Sequence, residues 1–210
     1  MKLYDAERAP SPRRVRIYLA EKAISVERVS VDLAGGAHLH PDFLAINPRG
    51  TVPALRLDDG EVIGDSTAIC RFFEALHPDP PLFGARPVEI ARVTAWTRRV
   101  EAEGYAACVY ALRNAAPRFA NRAEPGIWPA LPQLPDLAAR GARMWEAFVA
   151  TLDQRLADNE WVAGDRYSYA DITALVTVDF AAMARLALPD GVPHLRRWHA
   201  AATARPSATA

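Results

Sequence analysis

A chain of 210 residues, 50% apolar and 24% charged, is long enough for one large core or two modest ones. Its 25 basic residues balance 25 acidic ones, so no net field argues for a nucleic-acid partner. Two distant cysteines, Cys70 and Cys108, give neither a disulfide framework nor a metal-ligand spacing, and no apolar run approaches a membrane span. The opening Met1-Lys2-Leu3-Tyr4-Asp5 lacks the apolar core of a secretory leader, which leaves the cytoplasm as the expected location.

In chain order, residues 2–4 and 26–31 read as strands, the second weighted by Val26, Val29 and Val31. Residues 12–23 between them read as a helix, with Ser11 as N-cap, Pro12 at the first helical position, and Val15, Tyr18 and Leu19 on one face. A short helix is expected over 41–45. Strands at 54–57 and 61–63 flank Asp58-Asp59-Gly60, a hairpin signal. Residues 66–76 then form a helix with Ile69, Phe72, Phe73 and Leu76 on its buried side. The order βαβ then ββα predicts a small mixed sheet with helices packed on it.

His77-Pro78-Asp79-Pro80-Pro81 supports neither element type and reads as a stiff linker. Beyond it strand signals nearly vanish. A long helix is predicted over 88–116 and a loop over 117–135, which holds five prolines. Further helices are predicted over 137–157, 171–186 and 195–204, and the tail 205–210 is expected to fray. Ser168-Tyr169-Ala170-Asp171 has the spacing of a capping box, with Tyr167 and Ile172 where a hydrophobic staple forms. The expected domains are residues 1–77, a linker at 78–86, and an all-helical domain at 87–210.

Four places could carry chemistry. Ser11 follows the first strand and loop at a helix N-terminus, where backbone N–H groups and the helix dipole favour an anion such as a thiolate; a plain cap is the equal alternative. Val52-Pro53 precedes a strand that must pair, which suits either a fixed ligand-binding loop with a cis bond or an ordinary strand boundary. Asp65-Ser66 opens another helix and could hold a carboxylate or simply cap it. His38 lies in a Gly35-Gly36-Ala37-His38 loop and is expected to be exposed.

Together these stretches resemble the glutathione transferase family. The resemblance is carried by Ser11-Pro12-Arg13-Arg14-Val15-Arg16, Asn47-Pro48-Arg49-Gly50-Thr51-Val52-Pro53-Ala54-Leu55, Gly64-Asp65-Ser66-Thr67-Ala68-Ile69 and Val162-Ala163-Gly164-Asp165-Arg166-Tyr167-Ser168-Tyr169-Ala170-Asp171. It implies an α/β thioredoxin-like N-terminal domain followed by an all-α C-terminal domain, with glutathione as co-substrate. By the same resemblance, the Val52 backbone would bind the cysteinyl part next to a cis Pro53. Asp65 and Ser66 would hold the γ-glutamyl end, and His38 would contact the glycyl end. Ser11 would be the catalytic hydroxyl. Theta- and zeta-like members carry their catalytic serine two positions earlier, where this chain has Ala9, and the Ser-Ser-Cys signature of zeta-class isomerases is missing.

The implied reaction is attack of the glutathione thiolate on a small hydrophobic electrophile held by the helical domain, with Trp96, Tyr105 and Phe119 as candidate pocket residues. A glutathione-dependent disulfide or peroxide reductase, and a non-catalytic binding or regulatory protein, are the alternatives. The family also implies a homodimer in which residues 66–76 of one subunit face the 88–116 helix of the other.

Overall fold

The computed structural model describes residues Met1–Ala210, which divide into two compact units. The first comprises Met1–Pro80, Pro125–Pro129 and Ala210; the second comprises Pro81–Glu124 and Ala130–Thr209. The five-residue tip of the proline-rich loop therefore belongs with the N-terminal unit, although the sequence places it deep in the helical half.

The first unit is built on strands β1 (Lys2–Asp5), β2 (Glu27–Ser30), β3 (Ala54–Arg56) and β4 (Val62–Ile63), in the spatial order β2-β1-β3-β4. β2 runs parallel to β1, β3 antiparallel to β1, and β4 antiparallel to β3. A parallel β1–β2 pair needs a crossover, and helix α1 (Pro10–Glu21) supplies it. The short α2 (Pro41–Leu44) follows β2, and α3 (Ser66–Leu76) follows β4. Leu3, Val15, Ile17, Tyr18, Leu55, Ile69 and Phe73 form a core with at most 1% exposure.

α1 begins earlier than the sequence suggests. Ala9 is the N-cap, without a side-chain hydrogen bond, and Pro10 takes the first helical position. Ser11 is thus the second residue of the helix rather than its cap. The helix is pinned by buried cations: Arg16 donates to Asp5 Oδ1 at 2.7 Å, to the Glu7 carbonyl at 2.8 Å and to the Ala210 carbonyl at 3.0 Å. Lys22 pairs with Glu74 at 2.6 Å and donates to the His77 carbonyl at 2.7 Å, and Glu74 also accepts from the Tyr18 hydroxyl. These pairs fasten α1 to α3 and hold the loop between β1 and α1.

The second unit is helical throughout. α4 (Pro87–Arg99) continues through a π-helical stretch, Val100–Tyr105, into α5 (Ala106–Arg113). The predicted single helix over 88–116 is therefore one helical path with a π segment inside it. α6 (Pro135–Ala157), α7 (Tyr169–Met183) and α8 (Pro193–Thr203) complete the unit. α7 is its axis: every residue from 169 to 178 is buried, and it packs against α4, the π segment, α5 and α8. Ala170, Ile172, Ala174, Leu175 and Val176 make most of this surface apolar, and the buried Thr173 and Thr177 hydroxyls are satisfied within the helix, donating to the Tyr169 and Thr173 carbonyls at 2.9 and 2.8 Å. The linker delivers Leu82 and Phe83 into this unit. Phe83 stacks on Tyr169 with ring centroids 4.5 Å apart, and the Tyr169 N–H donates to the Leu82 carbonyl at 2.8 Å.

The capping box at Ser168 and Asp171 is present. Tyr167, expected in a staple with Ile172, stands edge-on to Trp161 with the Arg205 guanidinium over its ring at 4.0 Å. The tail does not fray. Pro206–Thr209 forms a 3₁₀ turn in which Ser207 and Ala208 are buried. No helix is long and apolar enough to cross a membrane.

Candidate active site

The sheet register gathers the site. Antiparallel pairing of Tyr4 with Ala54 places the end of β1 beside the start of β3, and pairing of Leu55 with Ile63 places the end of β4 at that same edge. Parallel pairing of Asp5 with Ser30 adds the end of β2. The segments that continue from these four ends carry Ser11, His38, Val52-Pro53 and Asp65-Ser66. Residues spread over 55 positions of sequence thus belong to chain segments that meet one end of one sheet.

Ser11 is half-buried at the second position of α1. Pro10 and Pro12 on either side have no N–H, so Ser11 supplies the one amide hydrogen of the first three helical positions. The sequence reading expected a cluster of N–H groups here; the two prolines reduce it to one amide plus one hydroxyl on the same residue. The hydrogen bonds of Arg16 to Asp5 and Glu7 fix the loop that delivers it.

The Val52–Pro53 bond is cis, as the resemblance implies. The loop before it is held by Asn47, a buried residue. Asn47 Nδ2 donates to the Thr51 carbonyl at 2.8 Å, its Oδ1 accepts from the Arg49 N–H at 3.2 Å, and its carbonyl accepts from the Gly50 N–H at 2.9 Å. Pro53 is buried and Val52 half-buried. Asn47-Pro48-Arg49-Gly50 has the Asn, Pro and Gly of a four-residue turn at its first, second and fourth positions, and Gly50 takes the left-handed conformation.

Asp65 caps α3: its Oδ1 accepts from the Ala68 N–H at 2.9 Å. Ser66 is the first helical residue and is 4% exposed. The cap reading of Asp65 is met by this bond, and Ser66 follows it at the same helix N-terminus. His38 departs from expectation. It lies in a 3₁₀ turn, Ala37–Leu39, and is 8% exposed rather than on the surface. Asp32 winds this loop inward, with Oδ1 accepting from the N–H groups of Ala34 and Gly35 and its carbonyl accepting from that of Ala37.

In the helical unit, the three candidate pocket aromatics are engaged separately. Trp96 has the guanidinium groups of Arg99 and Arg155 at 5.0 and 5.3 Å from its ring. Tyr105 leans on Phe180 at 5.4 Å, and Phe119 lies between Arg113 and Arg118. Neither cysteine is in a disulfide and both are buried; burial pushes the Cys108 thiol up to about 12, so it stays protonated and inert at neutral pH.

A thioredoxin-like domain joined to an all-helical one defines a two-domain class in which the first domain brings its loops to one edge of the sheet. Known proteins narrow that class. Residues 9–76 match the family model described as glutathione S-transferase, N-terminal domain, and residues 137–206 match glutathione S-transferase, C-terminal domain. The chain is 36% identical over 212 residues to glutathione S-transferase 2 of Saccharomyces cerevisiae, covering 99% of this chain and 87% of that protein. It is 33% identical over 218 residues to a maleylacetoacetate isomerase of Pseudomonas aeruginosa, covering 99% and 93%. Among solved structures, a glutathione S-transferase domain-containing protein of Marinobacter aquaeolei superposes with a TM-score of 0.88 at 39% identity, covering 99% of both chains. Gtt2 of Saccharomyces cerevisiae does so with 0.90 at 35% identity, covering 99% and 98%. The chain belongs to the glutathione S-transferase family.

Proposed function

We propose that this chain binds glutathione on its N-terminal unit and activates the thiol for attack on a small hydrophobic electrophile. The observation that carries the reading is Ser11, which brings a hydroxyl and the one early amide N–H of α1 to the positive end of that helix. In this reading the Val52 main chain pairs with the cysteinyl residue, Asp65 and Ser66 hold the γ-glutamyl end, and His38 lies against the glycyl end.

The chemistry is a substitution. The bound thiol loses its proton to solvent, the sulfur lone pair forms an S–C bond, and the leaving group departs with its electron pair. A free thiol titrates near 8.5–9, and lowering it by about 2 units takes roughly 2.7 kcal/mol of preferential thiolate stabilisation. Two charge-assisted hydrogen bonds at about 1.5–3 kcal/mol each, from the Ser11 hydroxyl and N–H, supply that. The hydroxyl cannot exchange disulfides as a cysteine does, so the nucleophile is the thiolate of glutathione itself. Ala9-Pro10-Ser11 likewise replaces the Ser-Ser-Cys signature of zeta-class isomerases, which sets the chain apart from an isomerase.

We place the protein in the cytoplasm, whose reducing poise suits a chain without a disulfide, and propose that it works as a homodimer. Turnover of a halonitroaromatic and of hydroxyethyl disulfide, each with glutathione, tests the reaction. Conjugation is expected to dominate. Disulfide reduction without conjugation points to the reductase, and binding to immobilised glutathione with neither activity points to a binding protein.

A further inference from the structure

Pro125–Pro129 joins the first unit through main chain and side chain together. The Ile127 N–H donates to the Arg49 carbonyl at 2.9 Å. Gly126 has φ +95°, and a Cβ built on it would stand 2.8 Å from the Arg49 oxygen and 3.1 Å from Thr51 Cγ2. Gly50, with φ +60°, is approached as closely: a Cβ there would meet Ile127 Cγ1 at 3.0 Å and the His38 carbonyl at 3.2 Å. Ile127, Gly50 and the His38 main chain therefore meet at one point, two residues before Val52. Asn47 holds the 49–51 turn from one side through Arg49 and Thr51, and the 125–129 tip holds Arg49 through a further bond.

The tip buries little of itself. Ile127 is 50% exposed and Trp128 58%, with the Trp128 indole donating to the Pro125 carbonyl at 2.9 Å. Such half-exposed residues contribute little to global stability, yet their contacts fall on the turn that leads into the cis bond.

We infer that the 125–129 tip is a positioning clamp for the glutathione site, holding the turn at 49–51 so that the Val52 main chain and His38 keep a fixed spacing. The inference rests on the assignment of Val52 and His38 to glutathione. Gly126 and Ile127 act through that turn and do not touch the reacting sulfur. Their effect is on binding the peptide equally in ground and transition states, so it falls on KM and not on kcat.

The test compares Gly126→Ala, Ile127→Ala and Ile127→Val in the full chain with wild type. The readouts are glutathione Kd by calorimetry, KM and kcat with a halonitroaromatic, and the melting temperature. Gly126→Ala and Ile127→Ala are expected to raise Kd and KM about five- to tenfold with kcat within about twofold. The melting temperature should stay within about 3 °C, and Ile127→Val, which keeps most of the contact, should restore binding. Unchanged glutathione affinity in both variants overturns the clamp. A joint fall of affinity, kcat and melting temperature also overturns it, because that is plain destabilisation. Ser66→Ala run in parallel separates the two levels. If it leaves affinity unchanged, the site assignment fails and takes the clamp with it; if it weakens binding while Gly126→Ala does not, the site stands and the clamp falls.

Discussion

Asp171 is 0% exposed and accepts four hydrogen bonds: from the N–H groups of Val162 at 2.8 Å and Ser168 at 3.0 Å, the Ser168 hydroxyl at 2.9 Å, and Trp198 Nε1 at 2.9 Å. The sequence reads as a helix cap worth about 1 kcal/mol, but the carboxylate also ties the 162 turn and α8 to the start of α7. Asp171→Ala would strand four buried donors at about 1–3 kcal/mol each, so it should cost several times an ordinary cap. Burial pushes this carboxyl up to about 6 from 3.8, against the four bonds that pull it down. The folded state therefore holds the proton more tightly than the unfolded chain. The stability this gives is complete below the unfolded value and is lost as pH rises through about 6. Urea unfolding of wild type and Asp171→Asn between pH 4 and pH 7 checks the sign. Wild type should lose stability relative to the amide variant across that window; a parallel pair of curves would refute it.

At the scale of elements, the structure shows which local signals sufficed. α3 starts and stops where the sequence places it, because Asp65 caps one end and His77-Pro78 closes the other. α1 does not, since alternating prolines at 10 and 12 make both Ala9 and Ser11 acceptable caps and the local rule prefers serine. The π segment at Val100–Tyr105 has no such local sign. The burial of His38 has no local sign, because it involves the close approach of Gly50, from a separate segment, to the His38 carbonyl as well as the Asp32 turn. The helix faces also support association. On α3, Ile69 and Phe73 are buried, but Phe72 is half-exposed and Leu76 is 54% exposed; on α4, Val88 and Ile90 are exposed. Apolar surface left on these two helices suits a two-fold contact between copies. Light scattering at low micromolar concentration should give twice the 23.0 kDa chain mass. A mass equal to one chain would remove the dimer.

Over the whole molecule, the two-domain architecture was legible because period, caps and the proline linker are written locally, and the motifs repeat the plan of a known family. The convergence of four segments on one sheet edge was not legible, because it follows from strand register, which pairs residues about 50 positions apart. Nor was the capture of Pro125–Pro129 by the first unit, which depends on a hydrogen bond to Arg49. The proposed reaction requires Ser11 and the start of α1 to make glutathione a thiolate. An ultraviolet difference titration of glutathione bound to wild type and to Ser11→Ala measures this directly. In wild type the bound thiol should titrate about 2 units below its free value, and Ser11→Ala should return it most of the way, with turnover at neutral pH falling about tenfold or more. A bound thiol that titrates like free glutathione in wild type, or an equally lowered one in Ser11→Ala, would contradict it.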